Sequence, residues 1–212
     1  MNVVDLSLYL VTNSDGRGED EFLGIIAKAC EGGVTLVQLR EKDKTGREYV
    51  DIAHKVKAIT DCFSVPLIID DRLDVAMAVG AAGVHLGQQD IPVAAARRIM
   101  GAGRVIGASA KTVKQAIDAE SAGADYLGVG AIFPTTTKVV TAITPVGTLD
   151  DIAKAVKIPV VAIGGLNAGN IGTLFGSGAN GVAVITAIMD SQDPKVAAAE
   201  LRQAVMNNFM KR

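Results

Sequence analysis

Short apolar runs recur along the chain, each followed by a longer segment in which apolar residues return at helical spacing. The runs are "LSLYLVT" from Leu6, "VTLVQLR" from Val34, "VPLIID" from Val65, "GVHLG" from Gly83, "RVIGAS" from Arg104, "ADYLGVG" from Ala124, "IPVVAIGG" from Ile158 and "GVAVIT" from Gly181. Their length and β-branched content predict strands. Between them lie "EDEFLGIIAKACEGG", "GREYVDIAHKVKAIT", "RLDVAMAVGAAG", "VAAARRIM", "TVKQAIDAESAG", "TLDDIAKAVK" and "NIGTLFGSG", and a last segment spans about Asp193 to Phe209. These segments predict helices. Eight strands alternating with eight helices imply crossover connections and a parallel sheet. Eight units of about 25 residues predict a closed α/β TIM-type (β/α)8 barrel. No GxGxxG follows the first strand, which disfavours a dinucleotide-binding fold. Nothing reads as a linker, so residues 1–212 are read as a single barrel domain. Small-residue pairs such as Gly32-Gly33 and Ala122-Gly123 precede several strands and read as helix C-caps.

Composition narrows the function. Hydrophobic residues make up 49% of the 212, enough for a folded core. A formal net charge of −2 gives no bulk field for nucleic acid or an anionic membrane. Aromatics are 4% with no Trp, so stacking platforms for single strands are not expected. Cys30 and Cys62 are far apart and form no CxxC; both read as small core residues in a reducing cytoplasm, which predicts a cytoplasmic protein. His54 and His85 lack zinc spacing. The N-terminus reads as a first strand, not a signal peptide. No apolar run approaches the ~20 residues that span a bilayer. A homo-oligomer is left open.

In such a barrel the active site lies at the C-terminal ends of the strands. The second run turns charged without a pause. Gln38, Arg40 and Lys42 fall on alternate positions and share one face with Leu36. An amide, a guanidinium fork and a mobile ammonium suit phosphate oxygens, although a solvated strand end has the same pattern. Glu41 and Asp43 alternate with the cations and read as surface groups. The third run ends in "IIDDRLD" and the fourth is followed by "GQQD". Asp71 and Asp90 are candidate Mg²⁺ ligands, since that cation takes oxygen from carboxylates and phosphates. Helix N-capping is the plain alternative for both. Asp74 reads as a salt-bridge or surface group, His85 as a hydrogen-bonded interior histidine, and His54 as structural or solvated. Ser109 suits a phosphate, or a cap of the fifth helix.

The sixth run opens into the long "GAIFPTTTKVVTAITPVG". Thr135, Thr136, Thr137 and Lys138 offer hydroxyls and an ammonium for phosphoryl oxygens; a polar lid is the alternative. The loops after strands 7 and 8 are the frequent phosphate site of these barrels. Gly164, Gly165, Ile185 and Thr186 are therefore phosphate-monoester candidates. Two anion sites in one mouth, one of them carboxylate-rich, suggest transfer with pyrophosphate as leaving group.

Taken in order, "QLREKD", "IIDDRLDVA", "GVHLGQQD", "GASAKT", "GADYLGVGAIFPTTTK", "VVAIGGL" and "GVAVITAI" resemble the thiamine-phosphate synthase family, from about Leu8 to about Pro194. The resemblance implies a TIM-barrel transferase. Its substrates are 4-amino-5-hydroxymethyl-2-methylpyrimidine diphosphate and 4-methyl-5-(2-hydroxyethyl)thiazole phosphate, and its products thiamine phosphate and pyrophosphate. It implies that Gln38, Leu39, Arg40, Glu41, Lys42, Asp70, Ser109 and Lys138 hold the pyrimidine diphosphate, and that Asp71 and Asp90 hold Mg²⁺. Thr135, Thr136, Thr137, Gly165, Ile185 and Thr186 match the thiazole phosphate site. Arg40, Lys42, Lys138 and Ser109 are the implied catalytic groups. The implied mechanism is dissociative: pyrophosphate departs, the aminopyrimidine stabilises a methylene cation, and the thiazole nitrogen attacks it. No protein nucleophile is required. The sequence departs from the family at Asp70, where Asn is common, and at Thr186, where Ser is common. An ionised Asp70 cannot donate to phosphate, so it must meet metal, face a cation, be protonated or turn away. Three rivals stand beside this: a thiazole tautomerase-like barrel, a Schiff-base aldolase using Lys138, and a non-catalytic thiamine-phosphate-binding protein.

Overall fold

A computed structural model describes residues 4–135 and 142–209. Eight parallel strands close a barrel in sequence order. They are β1 (Leu8–Val11), β2 (Leu36–Leu39), β3 (Leu67–Asp70), β4 (Gly83–Leu86), β5 (Val105–Ala110), β6 (Tyr126–Val129), β7 (Val160–Ile163) and β8 (Gly181–Val184). Around them lie α1 (Glu19–Glu31), α2 (Gly46–Cys62), α3 (Leu73–Ala78), α4 (Val93–Met100), α5 (Val113–Ser121), α6 (Val146–Ala155), α7 (Thr186–Met189) and α8 (Pro194–Phe209). The single (β/α)8 barrel expected from the alternation is present. Among the described residues no helix is long and apolar enough to cross a membrane.

Two departures concern the last units. The segment "NIGTLFGSG" forms a single 3₁₀ turn, Ile171–Leu174, in place of a helix. Gly176 and Gly178 then take φ of 81° and 73°, which no α-helix accommodates. Thr186, expected at the end of a strand, opens the short α7.

Strand alternation sorts side chains into two cores. Leu8, Leu10, Val37, Leu39, Ile69 and Val84 pack outward against the helices. Tyr9, Leu36, Ile68, Val105, Tyr126, Val161 and Ala183 fill the barrel interior. Above that apolar floor the interior positions become polar: Gln38 on β2, Asp70 on β3 and His85 on β4 are all buried. The floor supports the site, and the outer core clamps the strands that carry it. Helix α2 begins with a reciprocal capping box between Thr45 and Glu48, a device of about 1 kcal/mol. Its buried Tyr49 donates to Leu39 O at 2.7 Å and to Asp70 O at 3.3 Å, pinning the ends of β2 and β3. Of the two thiols, Cys30 is buried, where desolvation pushes it up to about 12. Cys62 is exposed at the end of α2, against the expectation of two core cysteines.

Candidate active site

The interior face of β2 continues past its last residue into Arg40 and Lys42. Thr12, buried beside β2, holds this extension by accepting the Arg40 backbone N–H at 3.1 Å. Lys42 Nζ lies 2.9 Å from Asp70 Oδ2 and also contacts Asp71 Oδ2. Arg40 Nε lies 3.9 Å from Asp70 Oδ2, beyond hydrogen-bond distance. This Nε is a buried donor that makes no hydrogen bond within the described residues, a costly state that an incoming anion would relieve. Asp70 therefore faces cations, one of the four outcomes open to it.

Asp71 has a φ of 59°, rare for a residue with a side chain. Two backbone bonds enforce it: Asp71 N donates to His85 O at 2.9 Å, and Arg72 N closes a tight turn onto Asp70 O at 2.7 Å. The turn places the carboxylate beside Lys42 and Asp90. Helix α3 begins after Arg72 without a side-chain cap, so capping does not explain Asp71. Nor does helix capping explain Asp90: α4 starts at Val93 with Pro92 as its N-cap, and Asp90 Oδ2 accepts the Gly87 N–H at 2.6 Å. Such backbone strain collects at functional sites.

The carboxyls of Asp71 and Asp90 lie side by side and each influences the ionisation of the other. Burial opposes ionisation of Asp71, but the bond from Lys42, the neighbouring Asp90 and the Lys42 charge hold its pKa below the usual range. Burial, then the neighbouring Asp71, raises that of Asp90. Burial would lower Lys42, but bonds to Asp71 and the Asp70 charge leave it raised and firmly cationic. Two carboxylates in contact need a proton or a cation between them. No cluster of three or more His, Cys or acidic ligands occurs among the described residues. A cation on Asp71 and Asp90 would take the rest of its shell from other oxygens, such as water and substrate, which suits Mg²⁺.

The remaining candidates divide. Ser109 ends the interior face of β5, 3.0 Å from His85 Nε2; Thr112, not Ser109, caps α5. His85 is the hydrogen-bonded interior histidine expected, and His54 is exposed. Asp74 pairs with Arg72 at 2.5 Å. Leu39 points into the outer core, so its side chain cannot reach a ligand in the mouth. Glu41, expected at the surface, is buried facing away from Arg40, with its Oε2 accepting from Ser14 Oγ at 2.7 Å. Burial raises its pKa against the opposing Ser14 bond and Lys44 charge. It borders two clefts. One of about 320 Å³ lies between α1 and α2. The other, of about 380 Å³, also reaches Arg40 and Lys42.

On the far side of the mouth, Gly164 and Gly165 have φ of 103° and 64°. A Cβ on Gly165 would meet Pro134 O at 2.5 Å and Phe133 Cβ at 2.7 Å. The glycine pair thus lets Phe133 and Pro134 of the loop after β6 pack directly over Gly165. Ile185 precedes α7, with Thr186 exposed at its start. First-turn N–H groups of a helix lack intrahelical acceptors and suit an anion. Thr136, Thr137 and Lys138 lie outside the described residues. Sequence reasoning missed Tyr9 and Tyr126, which bond to each other at 2.8 Å beneath the mouth. Their signal was a tyrosine at an interior position of each of two strands.

The sequence model of the family described as thiamine monophosphate synthase matches residues 8–188. The chain is 53% identical over 193 residues to thiamine-phosphate synthase 2 of Streptococcus pneumoniae, covering 91% of this chain and 92% of that protein. It is 52% identical to the thiamine-phosphate synthase of Lacticaseibacillus paracasei, covering 91% of each. Among solved structures, it is similar to the thiamine phosphate pyrophosphorylase from Pyrococcus furiosus. That match has a TM-score of 0.87 and 38% identity, and covers 96% of both chains.

Proposed function

The chain belongs to the thiamine monophosphate synthase family, and we propose that it joins the pyrimidine diphosphate to the thiazole phosphate, giving thiamine phosphate and pyrophosphate. The observation that carries this is the charge inventory at the ends of β2 to β4. Arg40 and Lys42 face Asp70, Asp71 and Asp90, two positive groups against three acidic ones. With all three ionised, the cluster is one charge negative, the wrong sign for a diphosphate. A divalent cation on Asp71 and Asp90 makes it one positive. Mg²⁺ so bound would supply Lewis-acid stabilisation of charge on the departing pyrophosphate.

The protein's own groups do the rest. Arg40 turns its unpartnered Nε and fork to the diphosphate, and Lys42 exchanges Asp70 and Asp71 for phosphate oxygens. Ser109 donates from β5, and Lys138 is assigned to the same group from the loop after β6. Arg40, Lys42 and Ser109 are in place before charge develops, which is where electrostatic catalysis gains most. Thr135, Thr136 and Thr137 with Gly165 and the Ile185–Thr186 backbone hold the thiazole phosphate opposite. Its ring nitrogen then attacks the pyrimidine methylene from the far side of the mouth. Water must be kept from the methylene cation, which it would otherwise capture. A tautomerase-like activity would have no use for the Arg40–Lys42–carboxylate cluster. Small molecules are the partners and the cytoplasm the assigned compartment.

The test supplies both substrates with Mg²⁺ and follows products by chromatography. Thiamine phosphate and pyrophosphate should appear in equal amounts, and neither without Mg²⁺. Binding of both substrates with no product would transfer the assignment to a binding protein.

A further inference from the structure

Beneath the charged mouth, five polar side chains from five strands join across the barrel interior. Gln38 Nε2 on β2 lies 2.6 Å from Tyr9 Oη on β1. Tyr9 Oη lies 2.8 Å from Tyr126 Oη on β6. Tyr126 Oη lies 3.0 Å from His85 Nδ1 on β4, and His85 Nε2 lies 3.0 Å from Ser109 Oγ on β5. The chain begins and ends on residues assigned to the diphosphate. Its middle members, Tyr9, Tyr126 and His85, have no part in the reaction as described so far.

The space for this chain is built into the strands. A Cβ on Gly107 of β5 would fall inside the Tyr126 ring. One on Gly128 of β6 would come within 3.1 Å of His85 Cε1. Tyr126 stacks edge-on against Tyr9 with centroids 6.0 Å apart, and tilts over His85 at 5.5 Å. Neither ring has room to leave the line.

Counting protons gives the chain a direction. An amide nitrogen only donates, so Tyr9 oxygen accepts from Gln38 and its one proton goes to Tyr126. Tyr126 passes its proton to His85 Nδ1. The ring hydrogen then sits on Nε2 and is given to Ser109 Oγ. Ser109 accepts and keeps its own proton for the mouth. Burial pushes both phenols well above the ordinary tyrosine range, so each keeps its one proton. In the opposite direction Ser109 would spend its proton on His85 and turn only lone pairs toward phosphate.

We propose that Tyr9, Tyr126 and His85 are positioning residues that hold Ser109 as a hydrogen-bond donor to the diphosphate. This rests on the transfer reaction assigned above and explains how Ser109 is preorganised for it.

The test begins with ¹⁵N spectra of the histidines in the substrate-free protein. The chain has two, and the exposed His54 serves as an internal reference. His85 should be the Nε2–H tautomer, and Tyr126→Phe, which keeps the ring, should abolish that preference. In assays Tyr126→Phe should lower kcat by about tenfold, the worth of one oriented hydrogen bond, and leave KM for thiazole phosphate unchanged. Combined with Ser109→Ala, it should add little further loss. An Nδ1–H or doubly protonated His85 in the unmodified protein would overturn the proposal. So would losses from Tyr126→Phe and Ser109→Ala that multiply independently. The tautomer needs no turnover: an Nε2–H ring in a protein that makes no thiamine phosphate would leave the polarity standing and remove the reaction.

Discussion

In the function proposed here, the two sides of the barrel mouth bind anions by different means. From β2 to β4 the work falls to side chains: Arg40, Lys42, Asp70, Asp71 and Asp90, clustered before any substrate arrives. From β6 to β8 it falls to backbone and hydroxyls, with Gly164 and Gly165 at positive φ and Ile185 leading into α7. The difference matches the two ligands. A leaving diphosphate gains charge in the transition state and needs strong, compensated groups. A phosphate that only anchors the acceptor needs uniform binding and no more.

Replacing Arg40 or Lys42 by Ala is the hardest blow to the first side. Each should cut turnover by about 10²–10³-fold with a much smaller effect on the thermal midpoint, since Lys42 is half-exposed and removing Arg40 also removes a buried donor without a hydrogen bond. Steady-state assays beside thermal melts check this; unchanged turnover in both variants would end the diphosphate assignment. Gly165→Val attacks the second side. Its Cβ would collide with Pro134 O and Phe133 Cβ at a φ of 64°. We expect a loss of about 2–4 kcal/mol in denaturant unfolding and a raised KM for thiazole phosphate.

Asp70→Asn sharpens the comparison. Lys42 and Arg40 would lose a competing carboxylate, and pyrophosphate should inhibit about fivefold more tightly, the scale of one partly exposed ion pair. A collapse of Mg²⁺ affinity instead would make Asp70 a metal ligand. The smallest effect concerns Glu41, buried on the outer side of the β2 extension with one oxygen unpartnered. Its folded pKa is raised, so ionisation costs stability as pH rises through the window from its unfolded to its folded value. Glu41→Gln should raise stability at neutral pH, and the gain should vanish below the ordinary glutamate range. Chemical denaturation at several pH values measures both.

The side-chain half of the site was legible because strand alternation is rigid: once β2 is a strand, Gln38, Arg40 and Lys42 must share a face. Alternation also placed Leu39 outward, which a contiguous family segment does not convey. Asp71 was legible as a candidate, but its positive φ depends on bonds to His85 and Asp70 that no local pattern specifies. Glu41 looked like a surface residue because its burial comes from Ser14, beyond β1, and from the neighbouring helices. The interior chain was hidden for a similar reason. Tyr9 and Tyr126 are 117 residues apart, and only barrel closure brings them together. Helix periodicity failed once, at the 3₁₀ turn, where glycines override an otherwise apolar spacing.

The division of labour can be measured most directly by titrating Arg40→Ala calorimetrically with each ligand separately, Mg²⁺ present throughout. The account predicts that affinity for the pyrimidine diphosphate falls steeply while affinity for the thiazole phosphate stays within about twofold of the unmodified protein. Equal losses for both ligands would contradict it, because the two anions would then share one site.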